Sequence, residues 1–206
     1  MPGHETTEGA YWRPARWVVA LSEGILAVEK VAIGGLMAAL MVLILFNVVT
    51  RYTGFPVYWG DEVAVYIAVW LTFVGASTMT RRRLDFSMTM LTEKLSPQMA
   101  HAAKVTATAI VILFAGLLGY MCWLWLDPVG IAAAGFDPRT HSGDTFNFVY
   151  SETTQTLNLP RWYFYLVLPL FSMTLFVHGL ANLCEELSLA PTVERHLDAV
   201  TAEGVS

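Results

Sequence analysis

Two adjacent carboxylates, Asp61 and Glu62, stand at the mouth of an apolar run that continues through Val74 without a charge. Arg51 lies upstream, and Trp59 and Trp70 flank the pair on either side. Such groups can form an ion pair or a hydrogen-bonded clasp, strengthened where water is partly excluded. A carboxylate at the start of a helix also gains from the exposed backbone amides there. Between Arg51 and Glu62 the sequence allows such a clasp. It equally allows ordinary flanking residues that only set where the helix begins. The choice depends on whether the apolar run crosses a membrane.

Other chemistry is sparse. No phosphate loop, nucleophile elbow or HExxH motif occurs, so an enzyme is not expected. Cys122 and Cys184 fit no metal or redox spacing. The stretch "GFDPRTHSGD", from Gly135 to Asp144, offers Asp137, His141 and Asp144, but its spacing matches no metal cage. Pro138 and Gly143 make it read as a solvated loop. His178 could ligate haem only with a second axial histidine, and His4, His101, His141 and His196 fall outside the apolar runs. A hydrogen-bonded packing role is expected for it. No cofactor and no metal are expected.

The 206 residues are 55% hydrophobic and 14% charged, with a formal charge of −5. Soluble domains carry about a quarter charged residues, so this composition points to a membrane protein. No nucleic-acid partner is expected, because phosphate recognition needs clustered Lys and Arg on an open face. The N-terminal region holds Glu5, Glu8 and Glu23 and lacks the pattern of a cleavable signal peptide, so the first span should be its own anchor.

Four stretches meet the length rule for a membrane helix, about 20 apolar residues. They are 31–50, 63–80, 105–126 and 162–183. Backbone amides find no water in hydrocarbon, so each should be helical. Pro169 should kink the fourth. The expected fold is thus an all-α integral membrane protein with a four-helix domain over 31–184. Residues 1–30 precede it, 185–206 follow it, and a long loop covers 127–160.

Orientation follows from the basic residues. Arg13, Arg16, Lys30, Arg81, Arg82, Arg83, Lys94, Lys104 and Arg195 lie on one side, against Arg51, Arg139 and Arg161 on the other. Both termini should face the cytoplasm, with Arg81, Arg82 and Arg83 as a cytoplasmic membrane anchor. Two stripes at helical spacing suggest short interfacial helices: Trp17, Leu21, Ile25 and Val28, and Leu84, Met88, Leu91 and Leu95. Packing on a partner protein is the alternative. The spans carry no carboxylate at mid-depth, so a polar pathway of the chain's own is not expected. Gly34 and Gly35, with Gly116 and Gly119, could admit close helix approach.

The order Asn47, Arg51, Trp59, Asp61–Glu62, Trp70, Gly75–Ala76 and Arg81–Arg82 resembles a known family. It is similar to the small, DctQ-like membrane subunit of tripartite ATP-independent periplasmic (TRAP) transporters, which reads N-x3-R, W-x-E-E, an aromatic-rich helix, G-A and a basic turn. "LNLPRWYFYLVLPL" resembles the family's approach to its last helix. The chain departs from the pattern at Val65, where an arginine is frequent, and at Asp85, near where a histidine is frequent.

The resemblance implies a multi-pass protein of the bacterial inner membrane. It implies a large TRAP membrane subunit and a periplasmic substrate-binding protein as partners, beside membrane lipid, and uptake of an organic acid. Sodium coupling is expected in the partner subunit. Asn47, Arg51, Trp59, Asp61, Glu62, Trp70 and Gly75 would then form a structural clasp or subunit interface. The alternative is a self-contained four-helix small-molecule exporter acting as a homodimer. That class depends on a glutamate inside the first span, and none lies between Val31 and Arg51.

Overall fold

The computed structural model describes residues 12–83 and 95–190. Seven helices occur there: α1 (Arg13–Tyr52), α2 (Trp59–Arg82), α3 (Pro97–Leu126), α4 (Pro128–Ala133), α5 (Pro138–Thr145), α6 (Trp162–Tyr165) and α7 (Val167–Glu186). No strand is present among the described residues, and Thr153 and Pro160 form one isolated bridge. Four helical stretches are long and apolar enough to cross a membrane: Arg13–Tyr52, Trp59–Arg82, Pro97–Ala133 and Trp162–Glu186.

The helix ends follow local chemistry. Pro14 opens α1, where its missing N–H costs nothing. Ser96 caps α3 by accepting from the Met99 amide, with Pro97 in the first turn. α2 ends at Arg83 and α3 at Asp127, both in the left-handed region (φ 54° and 40°). The last span breaks at Leu166, between α6 and α7. Pro169 lies just beyond; it cannot donate to the Tyr165 carbonyl, which accounts for the expected kink.

α7 occupies the centre of the bundle. It packs on α1, α2 and α3, whereas α3 rests substantially on α7 alone. Two glycines bear on that packing. A Cβ on Gly179 would come within 2.7 Å of Ile112 Cγ1, and one on Gly119 within 3.3 Å of Ser172 Oγ. Gly34 and Gly35 have open space around them, so no close approach occurs there. Aromatic contacts fill the middle: Tyr66 stacks on Phe164 at 3.9 Å, and Phe73 meets Phe171 at 5.1 Å. Large apolar side chains such as Met41, Leu45, Leu113 and Leu117 point outward, as a lipid-facing surface requires.

α1 differs from its expected form. Its 40 residues run without a break, about 60 Å at 1.5 Å per residue. Gly24, Gly34 and Gly35 are carried within it without a break, so the stripe expected as a separate interfacial helix is its first half. Trp17, Leu21 and Val28 are exposed. The face packed inward is Ala15, Val19, Ser22, Leu26 and Glu29, spaced alternately four and three residues apart. The other expected interfacial helix, over 84–95, lies outside the described residues except for Leu95.

Candidate functional site

Polar groups gather at the two ends of the bundle. At the end that carries the long loop, Asp61 faces α1. Its carboxylate accepts from Asn47 Nδ2 and lies 2.5 Å from Arg51 Nη2. Both charged side chains are more than half exposed, 59% and 56%. Such a pair contributes about 0–1 kcal/mol. Gly60 is buried against the Asn47 side chain, and Trp59 packs near Phe46 with ring centroids 6.2 Å apart.

Glu62 does something else. Its carboxylate accepts from the amides of Gln155 (2.8 Å) and Thr156 (2.9 Å) and from the Thr156 hydroxyl. Of the two readings the sequence left open, the clasp is present, but Arg51 pairs with Asp61 rather than Glu62. Successive residues on a helix point about 100° apart, so only one of two adjacent acids can face α1.

The loop that Glu62 holds is folded. The Asn147 side-chain amide donates to the Trp125 carbonyl at 2.7 Å, and the Tyr150 hydroxyl to the Leu126 carbonyl at 2.5 Å, which satisfies two carbonyls at the end of α3. Asp127 accepts from the Gly130 amide at 2.9 Å and pairs with His141 Nε2 at 3.1 Å. His141 is buried, which corrects the reading of its stretch as simple solvated loop. Asp137 caps α5. The Thr140 hydroxyl, with the Arg139 and Thr140 amides, holds its carboxyl below the usual range.

At the opposite end lies a buried network that joins all four spans. Arg81, fully buried, donates to Asn182 Oδ1 (2.6 Å), Glu23 (2.7 Å) and Glu185 (2.9 Å). Arg83 reaches the Asn182 carbonyl, Glu185 and Glu186. Thr108 of α3 donates to Glu186 at 3.2 Å. One turn deeper, His178 lies between Ser22 Oγ at 2.7 Å and Glu29 Oε2 at 3.2 Å. The Thr78 hydroxyl donates to the same Glu29 oxygen, and Ser77 meets Thr174 at 2.8 Å. A proton on Nε2 lets His178 donate to Glu29 while its Nδ1 accepts from Ser22.

Residues 40–189 match the family model described as tripartite ATP-independent periplasmic transporters, DctQ component. The chain belongs to the DctQ family. It is therefore the small permease subunit of a TRAP transporter, and that family is a transporter component rather than an enzyme family. No curated protein and no solved structure matches the chain.

The matched segment of this DctQ-family chain contains the clasp, the loop, and the α2, α3 and α7 parts of the buried network. Ser22, Glu23 and Glu29 lie before it. Of the residues expected at an interface, Trp70 donates its indole N–H to the Phe164 carbonyl at 3.1 Å, beside the break in the last span. Gly75 has open space beyond its Cα. Of the three arginines expected as a cytoplasmic anchor, Arg81 turns inward, and Arg82 and Arg83 are partly buried.

Sequence reasoning missed Ser22, Glu23, Glu29, Thr78, Asn182 and Glu185 as one assembly. The signal was the spacing His178, Asn182, Glu185 on α7, matched by Ser22 and Glu29 on α1 and by Thr78 and Arg81 on α2. His178 itself has the hydrogen-bonded, buried role expected of it.

Proposed function

We propose that this chain is the fixed scaffold of its transporter. It holds the large membrane subunit in the bacterial inner membrane while that subunit carries an organic acid, coupled to sodium. A periplasmic binding protein delivers the acid. Both termini and the arginine end face the cytoplasm, and the folded loop faces the periplasm, where it offers a docking surface. The chain takes no cofactor of its own.

One observation supports the reading above others: the charges inside the bundle bind one another. Arg81, Glu185, Glu29 and His178 are buried and bonded to protein groups on neighbouring helices. Breaking such contacts without replacement is costly, which favours a body that keeps its shape. Between the two polar ends, α1 is purely apolar from Val31 to Phe46. A moving carrier needs polar groups that it can release and rebind along a path. The dimeric exporter has no such support.

The test is a mild-detergent pull-down of the tagged chain from its native membranes, with each co-purifying chain identified by mass. A near-stoichiometric many-helix membrane partner is expected. A homo-oligomer without one would overturn the reading. Orientation is checked separately: Arg139→Cys should react with an impermeant maleimide from the periplasmic side.

A further inference from the structure

The first half of α1 carries an outward stripe that neither the clasp nor the buried network uses. Arg13, Arg16 and Trp17 line a concavity there together with Ala20. Ala20 also begins a groove of about 610 Å³ between α1, α2 and α7. The groove is walled by Gly24 and Val28 of α1, Trp70 and Phe73 of α2, and Phe171 of α7. Positions 13, 17, 20, 24 and 28 recur every three or four residues, so they form one helix face. From Ala20 to Ala32 the groove follows α1 for about 18 Å. Half of the hydrocarbon core is roughly 15 Å deep.

We propose that this stripe is a binding site for an anionic glycerophospholipid. Its phosphate is held by the Arg13 and Arg16 guanidinium groups beside the Trp17 indole, and an acyl chain lies in the groove. Guanidinium groups match phosphate oxygens in charge and geometry. Basic pockets beside membrane helices recognise anionic headgroups. Two acids do not oppose this: Glu29, which lines the groove, is 6% exposed and bound by Thr78 and His178, and Glu23 is held by Arg81. An apolar partner helix would fill the groove and leave two arginines unused, whereas one lipid molecule satisfies both parts. The site does not depend on the scaffold reading.

The test is native mass spectrometry of the full chain, released from detergent after addition of dioleoyl phosphatidylglycerol or dioleoyl phosphatidylcholine. The wild type should retain one phosphatidylglycerol at least about tenfold more strongly than phosphatidylcholine. Arg13→Gln with Arg16→Gln should abolish that preference. A Cβ on Gly24 meets no atom within 4 Å, so Gly24→Leu should fill the groove without backbone strain and lower retention of both lipids. Each variant is first checked for an unchanged melting temperature. Should one fail, Arg13→Ala with Arg16→Ala, or Gly24→Val, takes its place. Equal retention of the two lipids by the wild type would overturn the proposal, as would a preference that survives the double substitution. So would a Gly24→Leu chain that keeps its lipid but loses a membrane partner on pull-down, since the groove would then belong to that partner.

Discussion

Asp61 and Glu62 are neighbours in the chain, yet their carboxylates bind opposite sides of the molecule. Asp61 joins α1 through Arg51 and Asn47, and Glu62 joins the long loop through the Gln155 and Thr156 amides. The first turn of α2 is thus the point at which the α1–α2 hairpin and the loop share one support. Each carboxylate can be tested without the other.

For the hairpin, Arg51→Ala and Asp61→Ala should each cost about 0–1 kcal/mol, because the pair is well exposed. The double variant should be little worse than either alone. Arg51→Ala combined with Glu62→Ala should instead be additive within about 0.5 kcal/mol. Chemical unfolding of the purified chain reads both cycles.

For the loop, Glu62→Gln replaces a charged acceptor of two amides and a hydroxyl by one neutral carbonyl. Amide hydrogen exchange at Gln155 and Thr156 should quicken, with protection in the middle of α2 unchanged. Equal loss of protection in both places would mean that Glu62 supports the whole helix rather than the loop.

Arg81→Ala should be the most damaging single change among the ion-paired residues. It leaves Glu185, buried at the arginine end of the bundle, without its ion pair to Arg81. Removing one partner of a buried pair costs about 3–5 kcal/mol. A fall of that size in unfolding free energy is expected. A loss below about 1 kcal/mol would show that water reaches this end.

Gly130 has no room for a side chain while the Asp127 carboxylate keeps its place. A Cβ there would lie 1.9 Å from Asp127 Oδ2, a separation no packing allows. Gly130→Ala should therefore displace the Asp127 carboxylate and release His141, which becomes open to ethoxycarbonylation by diethyl pyrocarbonate. Asp127→Ala should expose His141 in the same way.

The Asp137 cap gives a pH dependence of known sign. Its carboxyl is held below the usual range by the Thr140 hydroxyl and the α5 amides. The stabilisation is present above the unfolded value of about 3.9 and is lost as pH falls through the lower folded value. Hydrogen exchange at Arg139 and Thr140 should stay slow down to about pH 4 and quicken below it. Asp137→Ala should abolish that acid-dependent step.

The four spans were legible because each is a run of about 20 apolar residues, a length few soluble elements need. The full extent of α1 was not. Glu23, Glu29 and Lys30 look like the charges that mark a chain leaving the membrane, and only the opposing helix reveals that Glu29 is inside the bundle. The clasp was read from the right residues but with the wrong acid, since proximity in sequence does not state which way a side chain points. In the loop, Asp-Pro occurs at 127–128 and at 137–138. Both are helix-start signals, and both short helices begin there. The burial of His141 left no local mark, because it depends on Asp127 at the far end of α4.

The central place of α7 sets a problem of timing during synthesis. Ribosomes deliver helices in order, so α1, α2 and α3 reach the bilayer before His178, Asn182 and Glu185 exist. Until then Arg81 has Glu23 as an ion partner, and Glu29 has Thr78 but no imidazole. A chain halted before its last helix therefore holds charges at the membrane that its own sequence has not yet balanced. Completion of that helix is the event that makes the protein at home in lipid, and an interrupted chain is chemically distinguishable from a finished one.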